Sequence, residues 1–303
     1  MTDHSFLHLA PAVQNSLATN RPVVALESTV LAHGLPRPLN FTTGQRVEEI
    51  IEVAGATPAT IAILNGKIFV GLTETQLRVI AESDQIKKIS TRDLAVAVVR
   101  DWNGATTVAS TIRIAHQAGI KVFATGGIGG VHRGSLPDIS ADLPELARTP
   151  IVVVCSGAKI ILDLPATREW LETNGITVVG YQCDEMPAFY SRRSGLNVDV
   201  TAHSSREVAQ LVRAQSGLQI DRALLVTVPV PAEFELPSTA VTEVLEEALG
   251  AAERQGVAGR ELTPFLLARM SELSEGATLR ANIALLENNA RIGAEIAKVL
   301  AAE

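Results

Sequence analysis

A single lysine interrupts the apolar segment "VVCSGAKIILD" at residues 153–163. A β-branched run leads into Ser156-Gly157-Ala158, and Lys159 follows where a core strand would end. Two readings of this lysine are open. Its alkyl stem can lie along apolar surface while the ammonium reaches water. Alternatively, the amine is kept dry near a second cation, and both conditions disfavour its charged form. A neutral amine of that kind attacks carbon and forms an imine.

Other residues at strand ends could join it. Glu27 closes the apolar run at 22–26. A carboxyl there is either a general acid with a raised pKa or a structural partner for Lys88 or Arg92. Lys88 is the second-cation candidate, or a phosphate contact. "DISADL" carries Asp138 and Asp142. These suit either the cap of a short helix or oxygen ligation of a hard divalent ion. "GGIGGVHRG" (126–134) lacks the Gly-Lys-Ser/Thr of a P-loop, and His132 stands where a dinucleotide fingerprint has its third glycine. It is either a tight turn or a loop whose N–H groups approach an anion, with His132 and Arg133 beside it. Cys155 and Cys183 read as small apolar residues. His33, His116 and His203 read as surface or capping groups. No Ser–His pair has a nucleophile elbow around it.

The elements that position these residues follow from pattern. Residues 22–29 predict a strand and 41–55 a helix ended by Gly55. Residues 59–71 predict a hairpin, because alternating runs flank Asn65-Gly66. A helix at 73–82 and a strand at 86–90 come next, then a helix at 105–118 and a strand at 120–125. A short helix near 142–148 precedes strand 150–156, helix 163–174, strand 175–181, helix 204–215 and strand 222–230. From about 238 the pattern is helical to the end. Alternating strands and helices predict an α/β fold: three α/β/α layers around a mixed, largely parallel sheet. No repeat or long linker appears, so residues 1–303 read as a single domain with a short helical or loose lead-in at 1–20. In such sheets ligands bind beyond the carboxyl ends of the strands, where the residues above gather.

Composition narrows the function classes. The 303-residue chain is 47% hydrophobic but only 4% aromatic, so Ala, Val, Ile and Leu must build its core. Its net charge is −7, with no basic tract, which argues against nucleic-acid binding. Two cysteines make no disulfide framework and imply a reducing compartment. With no signal peptide and no membrane-length apolar run, the expectation is a cytoplasmic protein with no membrane partner.

Several long stretches, among them "ALESTVLAHGLPRP", "PATIAILNGKIFVGLT", "GATTVASTIRIAHQAGIKVFATGGIGGVHRG", "DISADLPELARTP", "VVCSGAKIILD", "PAFYSRRSG" and "RANIALLENNA", resemble the pseudouridine-5′-phosphate glycosidase family, whose members are related to indigoidine synthase A proteins. The likeness runs from about residue 20 to the C-terminus. It implies an α/β/α homotrimer using a divalent metal, usually Mn²⁺. The implied reaction is reversible cleavage of pseudouridine 5′-phosphate to uracil and ribose 5-phosphate. Carried over by position, the proton donor falls on Glu27 and the nucleophile on Lys159. The metal aspartate falls on Asp138. Substrate contacts fall on Lys88, Val108, Ser140, Ala141 and Asp142, with Val108 acting through its backbone. "STRDL" stands where many relatives have "SRRDL", and "CSGAK" where many have "CAGAK". Two other readings share the lysine: a Schiff-base lyase or aldolase acting on another phosphosugar, and a phosphosugar-binding protein without turnover.

Overall fold

A computed structural model describes residues 6–134, 138–257, 259 and 262–302. Its first strands in chain order are β1 (Leu7–Leu9), β2 (Val23–Leu26), β3 (Thr57–Leu64), β4 (Lys67–Val70) and β5 (Lys87–Ile89). Next come β6 (Gly104–Thr106), β7 (Val122–Ala124), β8 (Val131–His132) and β9 (Val152–Cys155). The last are β10 (Leu162–Asp163), β11 (Thr177–Tyr181), β12 (Val200–Ala202) and β13 (Leu224–Thr227). The main sheet runs β1-β4-β3-β2-β7-β9-β13-β11-β12, with β6 also on β3 and β5 on β6. Only β3 with β4 and β3 with β6 are antiparallel in it. The sheet is therefore mixed and largely parallel, as expected, with helices on both sides.

The hairpin forms at Asn65-Gly66, where both residues have positive φ (49° and 72°). That is the backbone of a type I′ turn. The central strands β2, β7, β9 and β13 are buried along their whole length. They need apolar residues at consecutive positions because helices cover both faces. The C-terminal helix Ala277–Ala301 packs on β2, β7 and β9, and helix Val108–Gln117 packs on β2, β3, β6 and β7.

Of the two readings of the lead-in the helical one holds: helix Pro11–Ala18 forms, and β1 before it pairs in parallel with β4. Two further features depart from the sequence pattern. The segment expected as helix from 105 starts as β6, and its helix begins at Val108. Thr107 causes the switch, since its side chain caps the helix by accepting from Ser110 N–H. The chain after β2 enters a π-helical turn, Val30–Gly34, that periodicity did not suggest.

β2 is followed by a crossover to β3 on one side, and β7 by a crossover to β9 on the other. The crevice between the carboxyl ends of β2 and β7 is thus a topological switch point. Next to Glu27, Ser28 ties β2 to the strands on its other side. Its hydroxyl donates to Ile61 O (2.6 Å) and accepts from Thr106 N–H (2.9 Å), so β2, β3 and β6 meet on one buried side chain. Ser28→Ala leaves that N–H without this acceptor and should cost about 2 kcal/mol of stability. Urea denaturation measures it; an unchanged midpoint would show that Thr106 N–H finds another acceptor.

Candidate active site

The switch point opens into a cavity of about 380 Å³. All eight residues singled out from sequence border it, from elements up to 132 positions apart (Glu27 to Lys159). Glu27 enters directly after β2, and Lys159 lies four residues beyond β9. β7, which carries Thr125 at its end, separates those two strands. On β5 the alternation of the strand divides two lysines. Lys88 faces the cavity, and Lys87 lies over the Trp102 ring, 4.7 Å from its centroid.

Glu27 is buried, with 7% of its surface exposed. Its carboxylate accepts a 2.5 Å hydrogen bond from the Thr125 hydroxyl. Burial pushes its pKa above the ordinary carboxylate range. The Lys159 cation and the Thr125 hydroxyl pull it down, Asp142 pushes it up, and Lys88 pulls it down again, but burial prevails. Glu27 thus holds its proton to a higher pH than a solvated glutamate. Lys159 is half-buried, borders the cavity and is the leading charged neighbour of Glu27.

Asp142 does something the sequence did not suggest. It is buried, and its two oxygens accept from Ala109 N–H (2.9 Å) and Gly129 N–H (2.8 Å). It binds the first turn of helix Val108–Gln117 to the glycine loop and places Val108 at the cavity wall. The loop itself departs from the anion-cradle reading. Ile128 N–H donates to Gly157 O, Gly129 N–H to Asp142 and Val131 N–H to the Thr167 hydroxyl. Its glycines serve close packing instead: a Cβ on Gly129 would stand 2.2 Å from Ser140 Oγ, and one on Gly130 2.3 Å from Thr167 Oγ1. Arg133 donates from Nε to Leu162 O, while His132 borders the cavity. His33 also borders it rather than serving the surface.

Ser140 and Ala141 line the wall beside Asp142, and Asp138 stands exposed at the rim. Among the described residues no three His, Cys, Asp or Glu side chains cluster as metal ligands. One exposed carboxylate suits a hard divalent ion that keeps most of its water. Cys155 is buried and its thiol is pushed up to about 12, so it remains a neutral thiol beside Ser156. The apolar wall includes Ile161, Leu162 and Phe189. Helix Leu262–Leu273 adds Thr263, Pro264 and Leu267, and helix Ala277–Ala301 adds Asn282. Of these late contributions, the sequence signals only Asn282. Asn282 and Asn289 lie seven residues apart on an otherwise apolar helical face.

Residues 12–299 match the family described as indigoidine synthase A like protein. The chain belongs to that family. It is 48% identical over 297 residues to the pseudouridine-5′-phosphate glycosidase of Alkaliphilus metalliredigens (strain QYMF), covering 97% of each chain. It is 50% identical over 297 residues to the pseudouridine-5′-phosphate glycosidase of Escherichia coli (strain K12), covering 96% of this chain and 95% of that one. Two solved structures superpose with a TM-score of 0.90, each covering 98% of this chain and 97% of the other. One is an indigoidine synthase A-like protein from Thermotoga maritima, 38% identical. The other is the prealnumycin C-glycosynthase AlnA in complex with ribulose 5-phosphate, 37% identical.

A raised carboxyl pKa has a consequence for stability. Between the unfolded and folded values the native state binds more protons than the unfolded chain, so Glu27 makes stability fall as pH rises through that window. Its contribution is fully present below the unfolded value, near 4.5. Glu27→Gln mimics the protonated form at every pH. Its urea midpoint should match wild type at pH 4 and exceed it increasingly toward pH 8; a gap that stays constant with pH would contradict the raised pKa.

Proposed function

We propose that this chain reversibly cleaves the C–C glycosidic bond of pseudouridine 5′-phosphate, giving uracil and ribose 5-phosphate. The observation that carries this reading is the pairing of buried Glu27 with Lys159 in one cavity at the switch point. The family names and the phosphosugar-bound C-glycosynthase neighbour support it. A carbon leaving group has no lone pair to protonate, so the two-carboxylate route of ordinary glycosidases does not serve. An acid and an amine together provide another.

Protonated Glu27 gives its proton to the ribose ring oxygen as the C1′–O bond opens, with electrons supplied by the uracil ring. The Lys159 amine adds to C1′. The proton lost by the new ammonium balances the one taken up at uracil C5. The C1′–C5 bond then breaks, its electron pair remaining with uracil, while the nitrogen lone pair forms the C1′=N imine. The imine formed still carries one proton on nitrogen; water hydrolyses it to ribose 5-phosphate, and that proton returns to Glu27, restoring both the acid and the amine. Lys88 holds the phosphate, with Val108 at the start of its helix and the wall residues Ser140 and Ala141 seating the sugar. Asp142 acts as a positioning residue for both.

Mn²⁺ is the proposed cofactor. Asp138 would hold it, with water filling its other positions, and its positive charge would offset that of the anionic substrate. The resemblance further supports a homotrimer working in the cytoplasm. No helix among the described residues is long and apolar enough to cross a membrane.

Purified protein with pseudouridine 5′-phosphate and Mn²⁺ should release uracil, and the reverse reaction should consume ribose 5-phosphate only when uracil is present. Consumption without uracil would favour an aldolase-type reaction. Borohydride with ribose 5-phosphate should add mass to Lys159. Lys159→Ala should lower kcat by roughly 10³-fold or more while substrate still binds. Asp138→Ala should weaken Mn²⁺ binding, read by electron paramagnetic resonance of the free ion; an unaltered affinity would place the metal elsewhere.

A further inference from the structure

We infer that Asn289 is the positioning residue that sets the acid and the amine at their working separation. It lies on helix Ala277–Ala301, fully buried, and is absent from the cavity lining. Its side-chain amide donates to Thr125 O (2.8 Å) and to Ser156 Oγ (3.1 Å). A weaker contact reaches Gly126 O (3.4 Å). Thr125 is the residue whose hydroxyl bonds Glu27. Ser156 lies three residues before Lys159. One amide therefore spans the ends of the two strands that deliver the acid's hydrogen-bond partner and the nucleophile.

The surrounding bonds make this a stiff link. Ser156 N–H donates to Gly126 O (2.8 Å), and Ser156 O accepts from Phe189 N–H (3.1 Å). Ile128 N–H donates to Gly157 O, and Lys159 N–H to Ile128 O. Phe189 holds a left-handed backbone (φ 62°), unusual for a bulky residue, and a Cβ on Gly127 would stand 2.7 Å from its ring. With its backbone N–H and C=O both engaged here, Ser156 has only its hydroxyl left to tie to the helix, and Asn289 takes it. A buried amide is costly unless its donors are used, so an asparagine here needs both loops in place.

The inference rests on Glu27 and Lys159 having the roles proposed above. The test uses Asn289→Ala, with Ile296→Ala as a core truncation elsewhere on the same helix, and with Thr125→Val for a double-mutant cycle. A displacement of the order of 1 Å costs about 100-fold in rate, so Asn289→Ala should lower kcat by about that factor. KM should stay within about threefold, because no substrate contact is removed. Ile296→Ala should lose thermal stability yet keep its kcat. In the cycle, adding Thr125→Val to Asn289→Ala should cost much less than the product of the single effects, since both act through Glu27. If Asn289→Ala does not fold, Ser156→Ala removes the hydroxyl end of the same link and should lower kcat about 10-fold at unchanged KM. An unchanged kcat in Asn289→Ala or Ser156→Ala, a loss confined to KM, or multiplicative effects in the cycle would overturn the positioning role. If wild type itself formed no borohydride-trapped adduct, the imine chemistry would fail, and this role with it.

Discussion

A carboxyl held in a dry place beside an amine is the constraint on which this site depends. Burial alone drives Glu27 toward its protonated form, and the Lys159 cation opposes it. The Thr125 hydroxyl and Lys88 oppose it too, yet burial prevails, so Glu27 keeps its proton to a higher pH than a solvated glutamate does. A buried carboxyl that faces a cavity and stays protonated is suited to give that proton to a group bound there.

Keeping that pair in register falls to backbone groups and buried polar side chains. The loops after β2, β7 and β9 have little regular structure of their own, yet many of their amides are engaged. Asp142 holds Ala109 and Gly129, Ser28 holds Thr106, and Asn289 holds Thr125 and Ser156. These residues share a logic. Each is a buried polar group whose donors or acceptors match backbone groups of different segments, so each penalises any displacement of one segment against another. The apolar core fixes where the strands lie, while the polar groups fix how the strand ends face one another.

The layers of the fold were legible because their signals are local. The Asn65-Gly66 hairpin and the buried strands β2, β9 and β13 are written in runs of a few residues. So was the gathering of Glu27, Lys88 and Lys159 at one edge, since strand ends in a parallel sheet converge there, whereas the wall supplied by helix Leu262–Leu273 was not. Partnerships across the sequence were not legible. Asp142 read as a cap or a ligand, but its acceptors meet amides 33 and 13 residues away. The glycine loop read as a tight turn or an anion cradle, and tertiary contacts take up several of its N–H groups. β1 and β12 have three residues each, too few to show a period, and exist because a neighbouring edge pairs with them.

The helical C-terminal segment shows why periodicity and chemistry have to be read together. A buried face that runs from Thr278 to Ala297 explains why Ala277–Ala301 packs on β2, β7 and β9, and by that measure its asparagines are errors. They recur at i and i+7, however, which returns to the same face. Asn282 borders the cavity, and Asn289 lies two turns further along, beneath the strand ends. A helix that only filled space would carry leucine at both positions and be more stable for it. Polar residues at this spacing fit a helix that is also part of the site, one end reaching the cavity and the middle bracing the loops that bear the acid and the amine.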